Sequence, residues 1–224
     1  MDSKPVDGTL TVKEPFGLAI DQQDQIWVTN SGTNTVTRFP ASDPANAVEF
    51  EVGYSSHGIA IDSQGNAWVA NSIGHLGAME KLTEKIEGLE GSMSDDDRAA
   101  KGSIDLWDIA DKYPGGDVSM IRPDGTVLGP FDAGKSMNGA WGISVDGNDN
   151  IWVSNSMSQS ITQLCGVRTE TCPLGVATGE PISPQNGYIG GLQTITGSAL
   201  DPAGNAWIAN SWGQTDVGFK ASSF

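Results

Sequence analysis

Four copies of one pattern, at Gly17 to Ser31, Gly58 to Ser72, Gly142 to Ser156 and Gly197 to Ser211, leave this chain few folds to choose from. Each copy reads Gly, any residue, Ala or Ser, any residue, Asp, two residues, Gly or Asp, Asn or Gln, a small or branched residue, Trp, Val or Ile, any residue, Asn-Ser. In every copy two apolar β runs flank a polar turn: Leu18 to Ile20 and Ile26 to Val28 in the first, Ile59 to Ile61 and Ala67 to Val69 in the second. That is a β-hairpin. Its Trp, at 27, 68, 152 and 207, holds one fixed place, so a ring of like hairpins would wedge one indole between each pair of neighbouring sheets.

The interval from Asp21 to Asp62 is the length of one four-stranded propeller blade. Blade one would finish with Val36 to Phe39 and Val48 to Val52. Blade two would finish with Val118 to Ile121, a Pro123-Asp124-Gly125 turn and Thr126 to Phe131, and blade three with Ile161 to Cys165 and a long outer segment to about Gly191. The fourth copy ends too close to the C-terminus to complete four strands alone, and Gly8 to Val12 is a spare strand that could close the ring by pairing with it. The expected fold class is therefore all-β, a single small β-propeller domain over residues 1–224 with four clear repeats. A fifth blade from degenerate segments, a truncated propeller, or a homo-oligomer completing the ring all stay open.

Between Gly74 and Asp117 the pattern changes to a helical period, with Met79, Leu82, Ile86 and Leu89 on one stripe and Leu106, Trp107, Ile109, Ala110 and Tyr113 on another. Residues 75–117 thus read as a helical insertion within the second blade, on the upper face, and Ser94 to Asp97 as a helix start.

Composition narrows the function. Lys and Arg number 12 against 28 Asp and Glu, a net charge of −16, so a phosphate-tracking surface is excluded and nucleic acid is not expected as a partner. No apolar stretch approaches the ~18 to 20 residues of a membrane span, and the residues from Met1 lack the apolar core of a signal peptide. Cys165 and Cys172 bracket a short Gly-containing segment; a hairpin disulfide in an oxidising compartment and two reduced thiols are both compatible with that spacing.

The stretch from Phe16 to Asp21 and on through Trp27-Val-Thr-Asn-Ser-Gly-Thr-Asn-Thr-Val36 resembles an NHL-type repeat, and Pro123-Asp-Gly before a β run matches that repeat's outer turn. With Trp in the second strand, the chain is similar to virginiamycin B lyase-like propellers and, more distantly, to the gluconolactonase and paraoxonase propellers. The resemblance implies a ligand site at one end of the central tunnel. It selects Glu14, Phe16, His57, Asn138 and Trp141 before first strands, and Asn30, Asn71, Asn155 and Asn210 after second strands. It also implies a Ca²⁺, or Mg²⁺, held by Glu14 with Asn30, Asn71, Asn155 and Asn210, since oxygen ligands converging from several blades suit a hard cation. The motif acids Asp21, Asp62, Asp146 and Asp201 follow strand one and read as turn caps at the other end.

Both histidines, His57 and His75, belong to blade two and flank its first two strands, which makes them the candidate catalytic groups. Trp141, Phe16, Trp212 and Asn138 are the candidate contacts for a small-molecule substrate. Three functions compete: a Ca²⁺-dependent hydrolase of sugar or acyl homoserine lactones, a C–O lyase like the virginiamycin-opening enzymes, and a non-catalytic propeller that binds a peptide or sugar through Trp141 and Trp212. Two histidines and an acid at one mouth favour an enzyme.

Overall fold

The structure is a computed structural model that describes residues 12–73, 115–212 and 220–223. Each repeat forms the hairpin its pattern implies, and one carboxylate explains most of the pattern. In the first copy Asp21 Oδ1 accepts the backbone N–H of Gln23 and of Gln25 at 2.9 and 3.0 Å, while Oδ2 accepts the Trp27 indole N–H at 2.8 Å. The same three bonds recur around Asp62, Asp146 and Asp201. The aspartate closes the turn and orients the tryptophan that follows it, which is why the two keep one spacing. The slot filled by Gly or Asp is the left-handed residue of the turn, with φ of 57° at Asp24, 82° at Gly65, 62° at Asp149 and 88° at Gly204. Only Gly, Asn or Asp take that conformation readily.

These hairpins seed four antiparallel sheets. The first holds β1 (Pro15–Ile20), β2 (Gln25–Asn30), β3 (Thr35–Pro40) and β4 (Val48–Glu51), and the second β5 (Tyr54–Ile61), β6 (Ala67–Ile73), β7 (Asp117–Ile121) and β8 (Val127–Phe131). The third holds β9 (Ala140–Val145), β10 (Ile151–Asn155) and β11 (Ser160–Leu164), and the fourth β12 (Thr194–Leu200), β13 (Ala206–Trp212) and β14 (Lys220–Ser223). The inner strands β1, β5, β9 and β12 lie side by side in chain order, as in a propeller. In place of a fourth strand, blade three has a long segment bridged to β11 at Ile161 with Tyr188 and at Leu164 with Pro181. A disulfide between Cys165 and Cys172 pins the start of that segment.

The core sits between blades. Blade one's Trp27 and Val36 pack on blade two's Ile59, Ala67, Val69 and Ile121, and blade two's Trp68, Val118 and Met120 pack on blade three's Ile151, Val153 and Leu164. Blade three's Trp152 and Ile161 meet blade four's Ile195, Ala206 and Ile208. Trp27 and Trp68 are fully buried, each removing roughly 4 to 6 kcal/mol of apolar surface from water as an upper bound.

The two ends of the series do not meet as the internal neighbours do. Trp207 of blade four is 49% exposed, and Leu18 and Ile20 of blade one are 62% and 57% exposed. Among the described residues the protein is thus a four-bladed arc. The spare strand Gly8 to Val12 lies outside the described residues apart from Val12. So does the helical insertion up to residue 114; its last residues, Gly115 to Asp117, lead directly into β7.

Candidate functional site

The residue immediately before each repeat glycine, Phe16, His57, Trp141 and Thr196, stands at the end of the inner strands opposite the aspartate turns. Two features put it there. A β-bulge breaks the inner hairpin's register at this point in every blade, which re-aims the side chain. The glycine then lets the next blade approach: a Cβ on Gly17 would sit 2.1 Å from the His57 carbonyl oxygen, one on Gly58 2.6 Å from that of Trp141, and one on Gly142 2.7 Å from that of Thr196. Thr29 adds a hydrogen bond, donating its hydroxyl to the His57 carbonyl at 2.7 Å.

Three of the four side chains meet. His57 stacks on Trp141 with ring centroids 3.9 Å apart and planes 19° from parallel. Phe16 stands edge-on to both, 4.6 Å from His57 and 5.4 Å from Trp141. Phe16 is 55% exposed and His57 only 7%, so the cluster opens to solvent on the Phe16 side. Such a surface suits the flat apolar face of a small ligand.

The hydrogen bonds of His57 assign its tautomer. Ser72 Oγ lies 2.8 Å from His57 Nδ1 and donates at 2.7 Å to the Ala140 carbonyl, which can only accept. A hydroxyl has one proton, so Ser72 must accept from Nδ1–H, and the lone pair of the neutral ring is left on Nε2. Burial lowers the His57 pKa from 6.5 to about 4, against an opposing pull from the Ser55 carbonyl. Near neutral pH the ring is therefore an uncharged base held between two aromatic rings. Such a ring can accept a proton at Nε2.

The other candidates behave differently. Asn30 donates from Nδ2 to Thr35 and Thr37 and accepts the Lys13 N–H, and Asn210 donates to the Gly191 carbonyl and accepts the Gln193 N–H. Asn71 donates to Asp117 and Ser119, and Asn155 to Ser160 and Thr162. Each amide thus fastens its own blade; among the described residues Asn71 Oδ1 and Asn155 Oδ1, with Ser154 Oγ, are buried without a hydrogen-bond partner. Glu14 is exposed and folds over Gly32, and its carbonyl receives the Ser31 N–H and hydroxyl. Asn138 ties loops together, accepting from Gly115 on its side chain and from Met157 on its carbonyl. Among the described residues no three of His, Cys, Asp and Glu gather into a metal-binding group. His75 and the side chain of Trp212 lie outside the described residues.

Sequence reasoning passed over Ser72 and Thr196. Ser72 was visible as half of the repeated Asn-Ser pair, whose Ser156 also crosses to the next blade, bonding the Ile195 carbonyl. Thr196 shares the position before the glycine with Phe16, His57 and Trp141.

No protein-family model and no curated protein matches this sequence. The likeness is to solved structures. A streptogramin B lyase superposes with a TM-score of 0.55 at 13% identity, over 98% of this chain and 56% of its own. A catalytically inactive histidine-to-alanine variant of virginiamycin B lyase from Staphylococcus aureus, with quinupristin, gives 0.53 at 13%, over 98% and 57%. A putative gluconolactonase gives 0.53 at 15%, over 88% and 57%. The chain spans little more than half the length of these structures, and at such identities the likeness establishes the propeller fold they share. No helix among the described residues is long and apolar enough to cross a membrane.

Proposed function

We propose that the aromatic cluster of Phe16, His57 and Trp141 binds a small cyclic ester and that His57 serves as the general base that opens it. The carrying observation is the Ser72 hydrogen bond, which directs the basic lone pair to Nε2 in a ring kept neutral by burial. The fold it shares with a lyase and a putative gluconolactonase supports ring opening as the reaction class.

In the hydrolytic version His57 Nε2 removes a proton from water as the water oxygen attacks the lactone carbonyl. The ring C–O bond then breaks, and the proton passes to the departing alkoxide, leaving His57 neutral. Phe16 and Trp141 orient the substrate and exclude bulk water. The lyase version has the same base remove a carbon-bound proton, with the C–O bond breaking to give an alkene and a carboxylate, to which the proton on His57 then passes. A Ca²⁺ would supply polarisation of the carbonyl when bound. The unpaired Oδ1 atoms of Asn71 and Asn155 are the groups here best suited to hold one, and no step above depends on it.

Mass spectrometry of a lactone panel separates the versions: hydrolysis adds the mass of water, elimination adds nothing. We expect turnover by the native chain and a loss of roughly 10²-fold in kcat for His57→Ala, the usual scale for a general base. If no lactone in the panel is opened while ligands still quench Trp141 fluorescence, the site is a binding site and the catalytic reading fails.

A further inference from the structure

We propose that the cavity between the outer strands of blade two and the disulfide-pinned segment of blade three binds a small carboxylate with an aromatic body, held through Arg122. The cavity measures about 390 Å³, within the ~300 to 1,000 Å³ common for small-molecule sites. It lies at an internal seam whose two blades are both described, and it shares no residue with the cluster of Phe16, His57 and Trp141.

The walls come from three places. Blade two's β7 and β8 supply Met120, Leu128 and Phe131, the turn between β5 and β6 supplies Asn66, and blade three supplies Val167 and Thr178. Each wall is held in place. Met120 is buried, and Leu128, Phe131 and Val167 pack against the core cluster of blades two and three. Val167 sits within the loop that the Cys165–Cys172 disulfide closes, and Thr178 donates its hydroxyl to the Gly166 carbonyl at 2.9 Å. Gly179, with φ of 84°, lies against the Phe131 ring, where any Cβ would clash. A fixed thioether and a fixed phenyl ring suit the packing of a ligand's aromatic body.

The polar groups say what that body carries. Of the three arginines among the described residues, Arg38 lies over the Trp27 and Phe50 rings and donates to the Pro123 carbonyl, and Arg168 donates to Glu170 and to the Gly147 carbonyl. Arg122, exposed at the rim of the cavity, makes no side-chain hydrogen bond or ion pair among the described residues. Asp124 lies close enough to feel its charge, yet turns its carboxylate to the Thr126 N–H at 2.9 Å. A guanidinium with its whole fork available matches a carboxylate, which it can bind through two parallel hydrogen bonds. Asn66 adds an acceptor. Its Nδ2 donates to the Asp62 carboxylate, which can only accept, so the amide's orientation is fixed and Oδ1 is the atom left for a ligand hydroxyl. In a chain of net charge −16 an anion is repelled by the molecule at large, so saturable binding of one calls for a specific contact such as this. None of this rests on the chemistry proposed for His57.

The test is isothermal titration calorimetry of the native chain with 4-hydroxyphenylacetate, with 2-(4-hydroxyphenyl)ethanol, which has nearly the same shape and no charge, and with acetate, which lacks the ring. The aromatic acid should bind at one site per chain, and the alcohol and acetate each roughly 10-fold or more weakly. Arg122→Gln should weaken the aromatic acid by a similar factor with Tm unchanged, because the side chain bonds nothing in the protein, while His57→Ala should leave the Kd as it was. Equal binding of acid and alcohol, or of acid and acetate, would overturn the proposal. So would an Arg122→Gln variant that binds as the native chain does, or the absence of any heat of binding at millimolar 4-hydroxyphenylacetate. Loss of binding on His57→Ala with Arg122→Gln unaffected would place the ligand at the mouth and overturn it as well.

Discussion

Gly142 and Gly197 occupy the same place in successive repeats, yet methyl groups added to them should have opposite effects. At Gly142 the new Cβ would lie 2.7 Å from the Thr196 carbonyl oxygen, 3.0 Å from Gly197 Cα and 3.2 Å from the Thr196 carbonyl carbon. All three are backbone atoms of blade four, so no side chain can swing aside and the two blades must separate. Overpacking of that kind costs about 1 to 3 kcal/mol. At Gly197 no described residue lies within 4 Å and no positive φ is required. In dilute, monomeric protein Gly197→Ala should therefore stabilise by about 0.4 to 1 kcal/mol, through the lost freedom of the unfolded chain. The variants should differ by roughly 1.4 to 4 kcal/mol, a gap in Tm on the order of 10 °C for a chain of this size. Urea unfolding followed by tryptophan fluorescence measures the same difference. If the two alanine variants unfold together, the glycines are not contact points between blades and the account of the arc is wrong.

Protonation of His57 gives a second prediction. Its folded pKa of about 4 lies below the unfolded 6.5, so the unfolded chain binds the extra proton first. Stability is full above pH 6.5 and should fall by about 3 kcal/mol between there and pH 4, a slope that His57→Gln removes in parallel denaturation curves. Asp62→Ala strands the buried Trp68 N–H and two turn N–H groups; urea unfolding should show a loss of about 2 to 3 kcal/mol, with a far smaller effect for Asp201→Ala beside the half-exposed Trp207. Millimolar Ca²⁺ should raise the Tm relative to chelator, by about 2.7 kcal/mol of stability at 100 times Kd, and identical curves would end the case for a tight cation site.

Much of this fold was legible because four side chains each do one local job four times. The aspartate closes a turn, the left-handed slot wants Gly or Asp, the tryptophan fills a seam and the glycine admits a carbonyl. Those jobs depend on close neighbours in the chain or on the next copy of itself, and the strands of blades one and two fall where the pattern puts them. The surroundings of the fourth glycine were not legible: Gly197 to Ser211 reads like the other copies, yet among the described residues no backbone carbonyl meets Gly197 as one meets Gly17, Gly58 and Gly142. At the site, Phe16, His57 and Trp141 could be picked out by their place before the repeat glycine, although the inner strands begin earlier than the pattern put them and include all three. The direction of an amide could not, so the asparagines that looked aimed at a common funnel prove to have their N–H groups engaged within their own blades. Ser72 escaped notice because its two bonds reach one residue on the preceding strand and another far along the chain.

The glycine step between blades divides labour between adjacent residues. The main chain of the residue before the glycine makes the contact, whatever its side chain, so His57, Trp141 and Thr196 can differ completely while their carbonyls do the same work. A propeller assembled this way carries one variable letter per blade, written on an invariant frame. Exchanging that letter should alter what the mouth binds or catalyses while leaving the seams intact, and a new specificity can then arise by point substitution with little prior loss of stability.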